Sequence, residues 1–155
     1  MKLAVAVALA AFSIPSFAQS AGAKAEVFSA DQVHSQLAQS AQQAAAKGSG
    51  GATLGSYGSH TIMLSERTAS GRAEIHAHFD DVMYVMEGKA TLITGGEVID
   101  AHDGANGETS GSGIRNGNTQ AVGAGDIIHI PAGVPHQLVI APGTTYVALV
   151  VKVKE

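Results

Sequence analysis

The sequence predicts an all-β domain, either a sandwich or a barrel, that follows a single N-terminal helix. Its composition is the first indication, because 155 residues include 19 glycines, four Phe, three Tyr and no Trp, as is typical of turn-rich β-proteins. The second is that residues 52–155 show no helical period. The third is a series of short apolar or alternating runs, spaced by about 8–12 residues as in barrels and sandwiches. These runs are residues 60–65, 73–78, 82–87, 89–94, 97–100, 119–122, 126–130, 136–140 and 145–153.

The first 18 residues have the pattern of a cleaved secretory signal peptide. Lys2 provides a positive charge, residues 3–14 are almost entirely apolar, and small residues precede a cleavage site after Ala18. The alternative is a membrane anchor, but the apolar run is shorter than the about 20 residues that span a bilayer. We therefore expect a periplasmic or secreted mature chain with no membrane partner after cleavage.

Residues 19–51 are predicted to form an arm and a helix. Ser29 begins the tetrapeptide S-A-D-Q, a capping box in which Gln32 stands three residues after the N-cap. Apolar residues then recur at i, i+4 spacing, which predicts an amphipathic helix over about residues 30–47. The run Gly-Ser-Gly-Gly at 48–51 ends the helix and predicts a hinge.

The predicted barrel domain covers residues 52–155. Within it, residues 101–118 form the one long irregular stretch, which is rich in glycine. Such a composition predicts surface loops, with a short hairpin that turns at Asn116-Gly117.

Charge and cysteine content exclude several classes of function. The formal net charge is −4, and the nine Lys and Arg residues form no cluster, so the electrostatic footprint of a nucleic-acid-binding protein is missing. The chain has no cysteine, which excludes a disulfide framework, a thiolate zinc site and a cysteine nucleophile. The seven histidines leave imidazole and carboxylate as the available metal-binding chemistry.

The first candidate site lies within residues 71–88. Residues two apart share a face of a strand, so Glu74, His76 and His78 are expected to project to the same side. Two imidazoles at this spacing could chelate one ion. Asp81 follows as the chain turns into the next strand and could supply an oxygen to the same point.

The second candidate site lies at the end of the run 126–130. Pro131 and Pro135 stiffen the turn, Gly133 permits a tight bend, and His136 begins the next strand. A histidine from this distant strand would join the first cluster in a mixed nitrogen and oxygen site. Without sulfur, such a site suits one divalent Fe, Mn, Ni, Cu or Zn ion with open positions for water or substrate.

The two stretches resemble the two conserved motifs of the cupin family. The resemblance covers about residues 60–150 and implies a double-stranded β-helix, or jelly-roll barrel, after the N-terminal helix. It also implies that the metal ligands are His76, His78, Asp81 and His136. The residues that carry it are Gly71, His76, His78, Asp81 and Gly88 in the first motif, and Gly125, Pro131, Gly133 and His136 in the second.

The first motif departs from the family pattern. Asp81 stands where the family usually has Glu, and only two residues separate it from His78, where the family generally has three or four. Asp80 or Glu74 could therefore compete for the role of the acidic ligand. The run 74–96 also resembles a subgroup of small exported cupins with Asp at this position.

The resemblance implies an exported metal-binding protein that holds a small molecule at a mononuclear site in the barrel. Dioxygenase, lyase or isomerase chemistry would follow, with Asp81 or Glu74 as the candidate base. The alternative is a non-catalytic metal-binding or small-ligand-binding protein of the cell envelope. A third hypothesis is a structural or interaction protein whose motif residues only hold the fold. The apolar outer face of strand 82–87 would suit a homodimer interface.

Overall fold

The computed structural model describes residues 24–155, and the predicted signal peptide lies outside them. Within this range the chain forms a single α-helix and twelve β-strands, as the predicted fold class requires. No helix in residues 24–155 is long and apolar enough to cross a membrane. The elements are α1 (Ala30–Lys47), β1 (Ser49–Ser56), β2 (His60–Arg67), β3 (Ala73–His76), β4 (Phe79–Thr94), β5 (Glu97–Ile99), β6 (His102–Asp103), β7 (Glu108–Gly111), β8 (Gly113–Arg115), β9 (Asn118–Gly123), β10 (Ile127–Ile130), β11 (His136–Val139) and β12 (Tyr146–Lys154).

Helix α1 begins and ends where the capping residues predict. The Ser29 hydroxyl accepts a hydrogen bond from the backbone N–H of Gln32 at 3.2 Å. Gly48 adopts a left-handed conformation with φ 83°, and its N–H donates to the Ala44 carbonyl. Both contacts satisfy backbone groups that a helix end otherwise leaves unpaired.

The predicted hinge at residues 48–51 is wrong, because residues 49–51 are the first part of strand β1 and pair with β2. Helix α1 packs directly on these two strands. A Cβ atom on Gly50 would lie 2.0 Å from the Ser40 carbonyl oxygen. The glycine here allows the helix and the strand to approach closely, so it provides packing and not flexibility.

Strand β4 joins the two halves of the barrel. The predicted strands 82–87 and 89–94 are one continuous strand, in which Gly88 adopts φ 76°. The first part of β4 pairs with β10 and β12, and the last part pairs with β9 and β11. The main sheet has the order β1-β2-β12-β4-β11-β3-β7-β6, while β5 and β8 form a separate ribbon.

Residues 101–118 are more regular than the sequence predicts. They contain β6, β7 and β8, of which β7 pairs with β3 and with β6. Asn116 does adopt the turn conformation, with φ 58°. The segment does contain a short hairpin, but β6 and β7 form it. The predicted turn position is wrong, because the strands that flank Asn116, β8 and β9, pair with β5 and β4 and not with each other. The β3–β7 pairing brings this segment to the edge of the candidate site.

The hydrophobic core lies inside the barrel, around β4 and β12. Its buried members come mainly from five strands and include Met83, Val85, Leu92, Ile128, Ile130, Leu138, Tyr146 and Ala148. On the outer face of β4, Tyr84 lies opposite Ile127 on β10, and both side chains are exposed. The outer face is thus apolar as expected, and the homodimer stays a prediction.

Candidate metal centre

A cavity of about 270 Å³ lies inside the barrel. Strand β12 contributes every second residue to its wall, from Tyr146 to Lys152, and β2 contributes Arg67. Strands β3, β4 and β11 contribute Glu74, His76, Asp81 and His136. Three of the four residues that the sequence suggests as metal ligands therefore face this one cavity.

The two histidines meet because their strands are neighbours. In the β11–β3 pair His136 lies directly opposite Glu74, two residues before His76. The ring centroids of His76 and His136 are 5.1 Å apart. Both residues are buried, with 7% and 5% of their surfaces exposed. Imidazoles from two segments 60 residues apart in sequence thus come together.

Hydrogen bonds orient both imidazole rings. The Nδ1 atom of His76 lies 2.5 Å from the Glu108 carboxylate, and the Nδ1 atom of His136 lies 3.1 Å from the Val134 carbonyl oxygen. A carbonyl or carboxylate oxygen can only accept, so Nδ1 is the donor in both rings. In the neutral rings Nε2 then keeps its lone pair. This arrangement is the usual one for histidines that bind a metal through Nε2.

Two carboxylates approach the Nε2 atoms. Asp81 Oδ2 is 3.4 Å from Nε2 of His76 and 3.6 Å from Nε2 of His136, while Asp81 Oδ1 is 2.8 Å from the Lys152 ammonium group. Glu74 Oε2 is 3.9 Å from Nε2 of His76. Potential ligand atoms of Glu74, His76 and His136 all lie within 4.8 Å of one another. Asp81 is almost equally close to both rings but already has a cationic partner, Lys152.

The surroundings of the two histidines and Asp81 shift their pKa values and so set their protonation states. Burial lowers the pKa of His136, so its ring is neutral at pH 7. Burial also opposes charge on His76, but the hydrogen bonds that the protonated ring would donate to Asp81 and Glu108 outweigh it and raise the pKa of that ring. For Asp81, burial is outweighed by the hydrogen bond that a protonated His76 would donate and by the one from Lys152, which lower its pKa and keep it ionised.

The structure does not bring His78 to this cluster. Strand β3 ends at His76, and residues 77–78 form the turn into β4. His78 is exposed and lines a separate surface pocket. The expectation that His76 and His78 share a face fails because period-two alternation holds only while the strand continues. Glu74, which precedes His76 by two residues on the same strand, occupies the inward position instead.

The spacing of the first motif contains a signal for this arrangement. Four residues separate His76 from Asp81, and six separate Asp81 from Gly88. The first gap lies within the three or four residues of the family pattern when it is counted from His76, whereas the gap from His78 is too short.

Asp80, the other suggested acid, accepts a hydrogen bond from the Ala132 N–H at 2.7 Å and holds that turn.

Glu108 is a site residue that cannot be identified from the sequence. It lies 32 positions after His76, in a segment expected to be irregular. The β3–β7 pairing places it directly opposite His76. Its carboxylate orients the ring of His76 without facing the centre of the cluster.

The residues present fit a divalent transition metal. Nε2 of His76 and His136, together with the Glu74 carboxylate, form a set of two imidazoles and one carboxylate, and Asp81 offers a further oxygen. Such nitrogen and oxygen ligands suit Fe, Mn, Ni, Cu or Zn and leave coordination positions open. These side chains would hold the ion, and the Lys152 ammonium group would balance part of the carboxylate charge.

Solved cupin structures have a similar fold. The polyketide cyclase RemF from Streptomyces resistomycificus is 26% identical over 70% of this chain and 67% of that chain, with a TM-score of 0.51. The cupin domain of Cnp3 from Schizosaccharomyces pombe has a TM-score of 0.53 at 11% identity, over 70% of this chain and 66% of that chain. For a cupin-2 domain from Rhodospirillum rubrum the TM-score is 0.51 at 14% identity, over 70% and 61% of the two chains. No family model and no curated protein matches the sequence. The described residues therefore adopt the double-stranded β-helix fold of the cupins.

Proposed function

We propose that this protein binds one divalent transition metal through His76, His136 and Glu74 and holds a small organic molecule in the adjoining cavity. The observation that carries the proposal is the orientation of the two rings. Both Nδ1 atoms are committed to oxygen acceptors, and both Nε2 atoms face the carboxylates in the cavity. A ring that served only to pack the core would have no need of this shared orientation.

The proposed chemistry is that of an enzyme acting on an oxygen-containing small molecule, of the dioxygenase, lyase or isomerase type. A bound metal would act as a Lewis acid toward a substrate oxygen. Asp81 stays ionised beside Lys152 and is therefore available to accept a proton from the substrate. Glu74 would be the alternative base if the metal leaves it uncoordinated. The similarity to RemF, described as a polyketide cyclase, supports chemistry on such a substrate.

The second candidate is a non-catalytic protein that binds a metal or a small ligand. The ion pair between Asp81 and Lys152 favours it, because a carboxylate with a lowered pKa is a weak base. For either function we propose a location outside the cytoplasm, in the periplasm or as a secreted protein. That proposal is supported by the signal-peptide pattern of residues 1–18.

Metal titration of the metal-free protein tests the proposal. Isothermal titration calorimetry with Fe(II), Mn(II), Ni(II), Cu(II) and Zn(II) should detect binding of one ion per chain for at least one metal. His136→Ala should abolish this binding, whereas His34→Ala, an exposed control on α1, should not change it. Failure of all five metals to bind, or equal affinity of wild type and His136→Ala, would contradict the proposed site.

A turnover assay separates the two candidate functions. The metal-bound protein is incubated with a panel of small oxygenated compounds, and oxygen uptake and product formation are followed. Turnover that is lost in Asp81→Asn while the metal is retained would support the enzyme. Metal binding without turnover of any compound would favour the non-catalytic protein.

A further inference from the structure

A second polar region of the cavity lies outside the candidate metal centre. Arg67 on β2 and Tyr146 on β12 are directly paired across the two antiparallel strands. Directly opposite residues project from the same face of a sheet, and both line the cavity. They therefore form one polar patch on the wall that β2 and β12 share.

Both residues carry a buried polar atom that lacks a protein partner. Among residues 24–155, the Tyr146 hydroxyl and the Arg67 Nε atom are the buried side-chain polar atoms without a hydrogen bond. Tyr146 is completely buried. Buried polar groups almost always have a partner, so two orphaned groups on one cavity wall require an explanation. Both can donate, because the guanidinium group is permanently protonated and burial raises the pKa of Tyr146 to about 12.

The patch is close enough to the metal centre for one small molecule to contact both. A Cβ atom on Gly71 would lie 2.8 Å from Nη1 of Arg67, so the guanidinium group rests against that glycine. Glu74 follows Gly71 by three residues, a backbone distance of no more than about 11 Å. The volume of about 270 Å³ lies just below the usual range for ligand pockets, which favours a compact ligand.

The charges on the cavity wall also favour an anion. Arg67, Arg72 and Lys152 provide three positive charges, and Glu74 and Asp81 provide two negative ones, which leaves a net charge of +1. A divalent ion would raise this to +3. An anionic ligand would reduce the excess, and a planar carboxylate matches the geometry of a guanidinium group.

We propose that the cavity binds a small organic acid whose carboxylate accepts hydrogen bonds from Arg67 and from the Tyr146 hydroxyl. The opposite end of the acid, carrying a second oxygen, reaches toward His76 and His136. The contact of the second oxygen rests on the proposed function, because it requires a metal bound at His76 and His136. The contacts of the carboxylate with Arg67 and Tyr146 do not require the metal.

The test compares acids with their neutral amides. The probes are straight-chain dicarboxylates of four to eight carbons and 4-hydroxycinnamate, each paired with the corresponding amide. Binding to metal-free and metal-bound protein is measured by thermal shift and by calorimetry. At least one acid should bind and raise Tm, while its amide should bind at least about tenfold more weakly, because the charged hydrogen bond is lost.

Two variants identify the carboxylate contacts. Arg67→Met should weaken binding of that acid by about 10–100-fold, and Tyr146→Phe by about 2–10-fold. Tyr146→Phe should also raise the Tm of the ligand-free protein, because it removes an orphaned buried hydroxyl and keeps the ring. Such opposite effects on stability and affinity would not arise if the tyrosine were only structural. Arg115→Met and Tyr84→Phe, both at exposed positions outside the cavity, are the matched controls.

The outcomes separate this inference from the proposed function. A protein that binds metal but prefers no acid to its amide would overturn the inference and leave the metal site intact. A protein that binds acids through Arg67 and Tyr146 but binds no metal would support the inference and contradict the proposed function. Equal acid binding by wild type and both variants would place the acid elsewhere and overturn the inference.

Discussion

Separate replacement of Glu74 and His78 distinguishes the cluster seen in the structure from the one that the sequence motif implies. Glu74 Oε2 and His76 Nε2 are 3.9 Å apart. Two metal–ligand bonds of about 2.0–2.2 Å span about 3.3–3.6 Å at a tetrahedral angle, so a small rotation of the Glu74 side chain lets both atoms bind one ion without movement of the strand. Replacement of a residue that only orients a ligand already costs about 10–100-fold in metal affinity. Glu74→Gln should therefore weaken binding by more than about 100-fold.

His78→Gln should change the affinity by less than about twofold, because a substitution at an exposed site outside the cluster removes no ligand. Calorimetric titration of the two metal-free variants provides the measurement, with Glu97→Gln as an exposed carboxylate control. Circular dichroism verifies that each variant is folded. Loss of binding in His78→Gln with normal binding in Glu74→Gln would refute the reasoning, since β3 would then have to extend to residue 78 when the metal is bound.

Further substitutions test the surroundings of the site and the fold. Glu108→Gln should weaken metal binding by about 10–100-fold, because the ring of His76 loses its charged acceptor; calorimetry showing unchanged affinity would contradict that role. Burial, with a smaller contribution from the Glu87 carboxylate, raises the pKa of Glu66. The charged form of Glu66 therefore destabilises the folded protein as the pH rises above the pKa that Glu66 has in the unfolded chain. Glu66→Gln should therefore stabilise the protein by on the order of 1 kcal/mol at pH 7 and not at pH 4, and urea denaturation showing an equal effect at both pH values would refute this. Gly50→Ala should destabilise the fold by on the order of 2 kcal/mol, since its Cβ would clash with the Ser40 carbonyl; an unchanged Tm would contradict the packing of the helix on β1.

The sequence predicts those elements that are stabilised by contacts or patterns within their own segment. Helix α1 is one, because its caps are local hydrogen bonds. Strands β10 and β12 are others, because their apolar residues are contiguous in sequence. The sequence does not predict strand β1, since its segment SGGATLGS has little intrinsic strand propensity. It becomes a strand through pairing with β2 beneath the helix, a contact that no local pattern encodes.

The same distinction applies to the site. His136 was predictable because Pro131 and Pro135 define a stiff turn before it. The position of His78 cannot be predicted, because a strand pattern does not reveal the residue at which the strand ends. Glu108 could not be found, because it meets His76 only through the β3–β7 pairing of two segments distant in sequence.

A crystal structure of the metal-bound protein, with anomalous diffraction recorded at the metal absorption edge, would test the central claim most directly. We expect one anomalous peak in the cavity, about 2.0–2.1 Å from Nε2 of both His76 and His136 for a zinc ion, with a Glu74 oxygen in the same coordination shell. A peak at His78, or imidazole rings whose Nε2 atoms face away from the ion, would contradict the proposed centre.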